Sequence, residues 1–149
     1  MAYTLDPPAT DDEWQAFHDI RDDVLFKARH RDVPYNRNHP DDFTPANTPL
    51  LLKEDGRPVG TIRLDDRGDG TGVVRLVAVI AGVQGRGHGR AMSQLCDERV
   101  RAKGLRTLYV NAAPEALGFY EKMGWERHTW DADQLVGIAA DCIQMRKRL

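Results

Sequence analysis

This 149-residue sequence has few cysteines and no long apolar run. Cys96 and Cys142 lie far apart and form no CxxC pair, so they predict a reduced, cytoplasmic protein in which both are small core residues. No metal site is predicted. No stretch approaches the roughly 18 apolar residues of a membrane span, and the first residues lack the pattern of a signal peptide. We therefore expect no membrane partner.

An excess of charge of one sign is also missing. The 21 basic and 23 acidic residues give a formal net charge of −2, which argues against a dedicated nucleic-acid binder. With 41% hydrophobic and 30% charged residues, the composition is that of an ordinary soluble protein. The length and the lack of repeats predict a single domain over residues 1–149.

The first third of the chain predicts a short strand, a helix and a polar connection. Residues 1–6 predict a strand that two prolines close. Thr10 and Glu13 have capping-box spacing, and apolar residues then recur at helical spacing, which predicts a helix over residues 11–29. The next segment, 29–49, carries four prolines and is too polar for the core. It predicts a surface connection or a short second helix.

The rest of the chain alternates strands and helices. The hairpin that we predict over residues 50–66 turns at Asp55-Gly56. The apolar run 73–80 predicts a strand buried on both faces. The remaining predicted elements are a helix over 87–103, a strand over 106–110, a helix from Pro114 to Gly124, and strands over 125–130 and 140–145. This order predicts an α/β or α+β fold with a mixed sheet and helices on its faces.

Residues 83–92, VQGRGHGRAM, place three alternate glycines between a predicted strand and a predicted helix. Glycines let the main chain approach a ligand closely, and the unpaired N–H groups of a helix start favour anions. Arg86 and Arg90 add positive charge at the rim of this turn. The stretch therefore predicts a phosphate site.

Two familiar phosphate motifs do not fit this stretch. The dinucleotide fingerprint GxGxxG requires glycine where Arg90 stands, and the P-loop requires lysine where His88 stands. The residues from Gln84 to Gly89 match a third pattern, Q/R-x-x-G-x-G/A. That pattern resembles the signature loop of the GNAT superfamily of N-acetyltransferases, and the later stretch NAAPEALGFYEKMGW resembles a second segment of the same family.

The resemblance covers residues 73 to about 130, and the first 49 residues match only loosely. It implies the acyl-CoA N-acyltransferase fold, a mixed and mostly antiparallel sheet of about six to seven strands with helices on both faces. It also implies acetyl-CoA as cofactor and coenzyme A as product. Family members are often dimers, so a homodimer is a further expectation.

The resemblance assigns cofactor contacts mainly to the main chain. The backbone of Val77, Ala78 and Val79 is expected to bind the pantetheine arm, with an N–H at or near Val79 polarising the thioester carbonyl; alternatively, these residues pair in a continuous ladder. We expect His88 to be a half-exposed residue of the first helical turn. The pyrophosphate is expected to bind the amides of Gly85, Arg86, Gly87, His88, Gly89 and Arg90, with Gln84 bracing the turn.

Two further residues match the second segment. Asn111 corresponds to an asparagine that contacts the cofactor arm, although it is equally suited to cap the next helix. Tyr120 corresponds to the general acid, although aromatic residues at helical spacing usually pack in the core. A glycine at position 118 lowers helix stability. Its presence is explained if the chain passes close to the cofactor there.

The implied reaction is direct attack by a primary amine of a small molecule or peptide on acetyl-CoA. The alternative is a non-catalytic acyl-CoA-binding regulator. No general base stands out. Segment 29–42 is a candidate wall of the acceptor pocket, or a solvated loop of mixed charge. Arg75, a charge within an apolar strand, is a candidate anchor for an acceptor carboxylate or phosphate, or a partner of Asp65 or Asp66 across the hairpin.

Overall fold

A computed structural model describes residues 2–80 and 87–149. It contains a seven-stranded sheet in the order β1-β2-β3-β4-β5-β7-β6. The strands are β1 Tyr3–Asp6, β2 Asn47–Glu54, β3 Arg57–Asp66, β4 Thr71–Val79, β5 Thr107–Ala112, β6 Glu126–Arg127 and β7 Ile143–Arg148. The α-helices are α1 Asp11–Arg21, α2 His88–Ala102 and α3 Leu117–Lys122.

The sheet is mixed and mostly antiparallel, as predicted. Among the described strands, only β4 and β5 pair in parallel, from Thr71 opposite Thr107 to Val74 opposite Val110. The hairpin of β2 and β3 turns at Asp55-Gly56, which confirms the predicted turn. A parallel pair needs a crossover connection, and α2 supplies it.

The two faces of the sheet are covered by different helices. α2 packs Met92, Cys96 and Val100 on one face, which we call the α2 face. On the other, the α1 face, Phe17 and Ile20 of α1 pack in a separate cluster with Leu51 and Ala78. Helices on both faces are therefore confirmed. None of the described helices is long and apolar enough to cross a membrane.

The first helix starts where the sequence predicted but changes type before its predicted end at residue 29. Thr10 Oγ1 accepts from the Glu13 N–H at 3.1 Å, and Glu13 Oε1 accepts from the Ala9 N–H at 2.8 Å. After Arg21 the chain continues as a π-helix over Asp22–Lys27. Its i→i+5 spacing brings Arg21 and Phe26 to one face, and both side chains are buried.

The segment after this helix is more ordered and less solvated than its polarity predicted. It contains a single 3₁₀ turn, Pro40–Phe43, within which Asp42 is buried. Asp42 tolerates burial because it binds two arginines, Arg21 at 2.9 Å and Arg63 at 3.1 Å. Composition alone does not reveal such pairing, so the expectation that no part of this segment reaches the interior is wrong.

The last two strands differ in extent from the prediction. β6 is only two residues long, Glu126–Arg127, and Trp125 before it lies in the core. β7 begins at Ile143 and runs through the basic C-terminal residues to Arg148. The charge of Arg146 is accommodated because its Nε binds Glu126 at 2.7 Å.

Candidate functional site

The parallel strands β4 and β5 separate over their last residues. Their pairing ends at Val74 and Val110, although β4 continues to Val79 against β3, and β5 continues to Ala112 against β7. A wedge-shaped space, the β4–β5 gap, therefore opens toward the C-terminal ends of both strands. Main-chain groups that line such a gap can bind an extended ligand as a further strand would bind them.

β4 also carries a bulge beside the gap. Arg75 lies opposite Arg63 and Ala78 opposite Thr61, so Leu76 and Val77 together face Ile62 of β3. Leu76 has φ of +51°, which is unusual for a residue that is not glycine. The prediction that this strand is buried on both faces is wrong here, since Arg75, Leu76 and Val77 are all partly exposed.

The sequence left open whether residues 77–79 pair in a continuous ladder. The bulge answers this question for part of the segment. Ala78 and Val79 pair with Thr61 and Gly60 of β3, as in a continuous ladder, whereas Val77 lies in the interruption. Toward β5 the described pairing has already ended at Val74. Gly60 is needed for the close approach, because a Cβ there would lie 3.0 Å from the Ala78 carbonyl oxygen.

The start of α2 lies next along the chain. Gly87 precedes the helix with φ of +88°, and no side chain of the described residues caps the first turn. The N–H groups of His88, Gly89 and Arg90 belong to that turn and have no partner within the helix. Gln84, Gly85 and Arg86, which were predicted to complete this anion site, lie outside the described residues.

His88 is buried, contrary to the expected half-exposed position. Its Nδ1 and the Tyr3 hydroxyl are 2.7 Å apart, and the two rings meet edge to face. Tyr3 belongs to β1, so this contact fixes the start of α2 against the edge of the sheet. The amide of His88 remains in the first turn, whereas its side chain has a structural role.

A small cavity of about 30 Å³ lies on the α2 face of the gap. Val77, Gly89, Phe119 and Tyr120 contribute to its walls. Gly89 permits the close packing of α2 and α3, since a Cβ there would lie 3.0 Å from the Phe119 ring. Gly89 was predicted only to bind an anion through its amide, so this packing contact is an addition.

Tyr120 reaches this cavity from α3 and is buried in the core. Its ring meets Trp125 edge to face at 5.7 Å. Burial raises the pKa of the Tyr120 hydroxyl well above its usual value, with smaller contributions from Cys142 and Cys96. The hydroxyl is therefore protonated at neutral pH. Packing and proton donation are both compatible with this position.

Asn111 lies at the end of β5 and does not cap the next helix. Ala113 occupies the cap position, and the Asn111 Oδ1 instead accepts from Gln144 Nε2 at 3.0 Å. The Gln144 Oε1 accepts the N–H groups of Trp130 and Asp131, each at 3.0 Å. These bonds fix both amide orientations, so the Nδ2 of Asn111 remains available as a donor.

Gln144 was not among the predicted site residues. No pattern in the sequence marks this position, although Gln144 is buried and its side chain makes four hydrogen bonds. The bulge at Leu76 was missed for a similar reason, because no glycine or asparagine marks it.

The α1 face also carries a chain of alternating charges, which we call the ionic network. Asp65 binds both Arg63 at 2.7 Å and Arg75 at 2.9 Å. The alternative that pairs Arg75 with Asp65 across the hairpin is therefore confirmed, and no contact to Asp66 is seen among the described residues. The members of the network, in order along it, are Arg21, Asp42, Arg63, Asp65 and Arg75.

Over residues 2–80 and 87–149, no group of three or more histidine, cysteine or acidic side chains is placed to hold a metal ion.

Comparison with known proteins agrees with this geometry. Residues 13–125 match the model of the acetyltransferase (GNAT) family. An acyl-CoA N-acyltransferase from Pseudomonas aeruginosa has the same fold, with a TM-score of 0.74, 20% identity and 98% of each chain covered. PaiA N-acetyltransferase from Thermoplasma acidophilum, solved in complex with coenzyme A, has a TM-score of 0.75 at 10% identity, with both chains fully covered.

Among curated proteins, serotonin N-acetyltransferase 2, chloroplastic, from Oryza sativa subsp. japonica is 34% identical over 84 residues. The match covers 56% of this chain and 40% of the rice protein. The seven-stranded mixed sheet with helices on both faces is the acyl-CoA N-acyltransferase fold. The chain belongs to the GNAT family of acetyltransferases.

Proposed function

We propose that this protein transfers the acetyl group of acetyl-CoA to a primary amine of a small molecule or peptide by direct attack. The observation that carries the proposal is the parting of β4 from β5 beside the uncapped start of α2. The curated rice relative is named for serotonin, a primary amine, which supports this class of acceptor.

The residues present fit acetyl-CoA. The pantetheine arm would lie against the main chain of Val77, Ala78 and Val79, with the Asn111 amide donating to it from β5. The first turn of α2 would hold the pyrophosphate through the N–H groups of His88, Gly89 and Arg90, together with Gln84 to Gly87. When bound, acetyl-CoA supplies an activated acyl group.

The chain then has three tasks in the reaction. An alkylammonium must lose a proton, which costs about 4.6 kcal/mol at pH 7, and ordered water is the proposed route because no base stands out. An N–H of β4 stabilises the charge that develops on the carbonyl oxygen. The bulge makes the Val77 N–H a second candidate beside that of Val79. The Tyr120 hydroxyl donates its proton to the departing sulfur.

The test is turnover of acetyl-CoA with a panel of primary amines, comparing wild type with Tyr120→Phe. Removal of a general acid should lower kcat by about 100-fold or more, while the affinity for coenzyme A stays unchanged. Tyr109→Phe is the matched control, because Tyr109 lies in β5 next to buried Leu108 and Val110 and faces away from the cavity. It should leave kcat unchanged.

Unchanged turnover in Tyr120→Phe would restrict Tyr120 to packing. Tight coenzyme A binding without thiol release on any amine would instead indicate the non-catalytic regulator. The cytoplasmic location, the homodimer and the single domain over residues 1–149 remain predictions.

A further inference from the structure

Arg75 and Asn111 flank the mouth of the β4–β5 gap on one face of the sheet. The last parallel pair is Val74 and Val110, whose side chains both pack on the α2 face. Side chains alternate along a strand, so the next residues, Arg75 on β4 and Asn111 on β5, point to the α1 face. Their hydrogen bonds, to Asp65 and Gln144, agree with that assignment.

The neighbours of Arg75 neutralise it incompletely. Arg63 lies directly opposite on β3, and like charges at such positions destabilise a sheet. Asp65 lies between them, but Arg63 binds both of its carboxylate oxygens, whereas Arg75 reaches it only through Nε at 2.9 Å. Within the described residues, the two terminal nitrogens of Arg75 have no hydrogen-bond partner.

The ionic network as a whole carries one excess positive charge, from three arginines against two aspartates. Arg21, Asp42 and Arg63 are almost completely buried, and Asp65 is 13% exposed. Arg75, at 29%, is the most exposed member. The uncompensated charge is therefore accessible from solvent at Arg75, next to the bulge and the gap.

We propose, building on the acetyltransferase function above, that Arg75 binds a carboxylate of the acceptor. The preferred substrates would then be amines that also carry a carboxylate, as amino acids do. A guanidinium with two free nitrogens matches the two oxygens of a carboxylate. One excess positive charge also balances the single charge of a carboxylate better than the charge of about −1.5 to −2 on a phosphate monoester.

The test compares matched pairs of amines that differ only in the carboxylate, such as phenylalanine with phenethylamine and alanine with ethylamine. In wild type, kcat/KM for the amino acid should exceed that for its partner by about 10- to 100-fold. Arg75→Gln should abolish this ratio by lowering kcat/KM for the amino acid alone, and Arg75→Lys should restore part of it. The KM for acetyl-CoA should not change.

Arg67→Gln is the matched control. Arg67 is exposed in the turn before β4, at the opposite end of that strand from Val79, and its guanidinium stacks over Tyr109 and Trp130 at 5.6 and 5.8 Å. It loses the same charge, so a general effect of net charge would appear in both variants. The ratio should persist in Arg67→Gln.

A wild-type ratio near one, or one that favours the simple amines, would overturn the proposal. Calorimetric titration of the coenzyme A-bound protein with phenylalanine and with phenethylamine measures binding without turnover. It therefore tests the carboxylate site at Arg75 separately from the proposed acetyltransferase activity. Absent turnover with binding of phenylalanine alone, lost in Arg75→Gln, would support the carboxylate site while refuting catalysis. Equal or absent binding of the two ligands would refute the site.

Discussion

At the scale of single residues, Gln144 shows how one buried amide can orient another. Its Oε1 is identified as oxygen because two main-chain N–H groups point to it. Its Nε2 must therefore donate to Asn111 and to the Asp131 carbonyl, at 3.0 and 2.6 Å. Asn111 consequently turns its own Nδ2 away from Gln144. This Nδ2 is the donor that we propose for the pantetheine arm.

Gln144→Glu tests this orientation. The substitution keeps the shape but replaces the donor with an acceptor that faces Asn111 Oδ1 and the Asp131 carbonyl. Asn111 can then recover a hydrogen bond only by turning its Nδ2 toward residue 144. We expect the free energy of unfolding to fall by about 1–3 kcal/mol. If Asn111 donates to the cofactor arm, the KM for acetyl-CoA should rise several-fold with little change in kcat.

Gln94→Glu, on an exposed position of α2, is the control for the change of charge and should affect neither quantity. A Gln144→Glu protein that is less stable but has an unchanged KM would assign Gln144 to stability only. Denaturant titration and initial-rate kinetics on the same samples make the distinction.

At the scale of elements, the sequence predicts best where a local signal exists. Thr10 and Glu13 mark the start of α1, and Asp55-Gly56 marks the hairpin turn, both confirmed by the structure. The bulge at Leu76 and the π-helix after Arg21 have no such signal. The bulge is defined by the register of β4 against β3, and the residue before the π-helix pairs with the distant Asp42. A local sequence pattern does not contain such contacts.

The same reasoning separates the roles of two glycines at α3. Gly118 lies within the helix, and a Cβ there would meet no described atom within 4 Å. Alanine forms helix better, so Gly118→Ala should raise the free energy of unfolding by about 0.5–1 kcal/mol. If the cofactor arm passes beside Gly118, the added methyl group should raise the KM for acetyl-CoA. Thermal unfolding would then show a more stable protein, whereas initial-rate kinetics would show weaker use of acetyl-CoA.

Gly124→Ala, just beyond the same helix, provides the contrast. Gly124 follows α3 with φ of +95°, a conformation that alanine adopts at a cost of about 1–2 kcal/mol. This variant should be less stable, with an unchanged KM for acetyl-CoA. If Gly118→Ala also left the KM unchanged, the proposed passage of the cofactor beside α3 would be wrong.

At the scale of the whole molecule, the two faces of the sheet are stabilised differently. The α2 face has an extended apolar core, whereas the α1 face joins α1, the 3₁₀ turn and β3 through buried ions. The charge pattern of segment 29–49 did not reveal this arrangement, because the partners of Asp42 are distant in sequence. Arg21 additionally stacks on the Phe17 ring at 4.2 Å.

Asp42 is the member on which this face depends most. Asp42→Asn keeps the volume but leaves Arg21 and Arg63 buried without their shared counterion, although Arg63 retains Asp65. Breaking a buried ion pair by removing one partner typically costs about 3–5 kcal/mol, so we expect a loss of that size in denaturant titration. Asp41→Asn, at the exposed neighbouring residue, should change stability by less than about 0.5 kcal/mol.

A triple variant in which Met, Leu and Met replace Arg21, Asp42 and Arg63 should restore most of the lost stability, because the desolvation of all three charges disappears. If Asp42→Asn instead matched the wild type, the α1 face would be stabilised by its apolar contacts, and the ionic network would serve only to present Arg75.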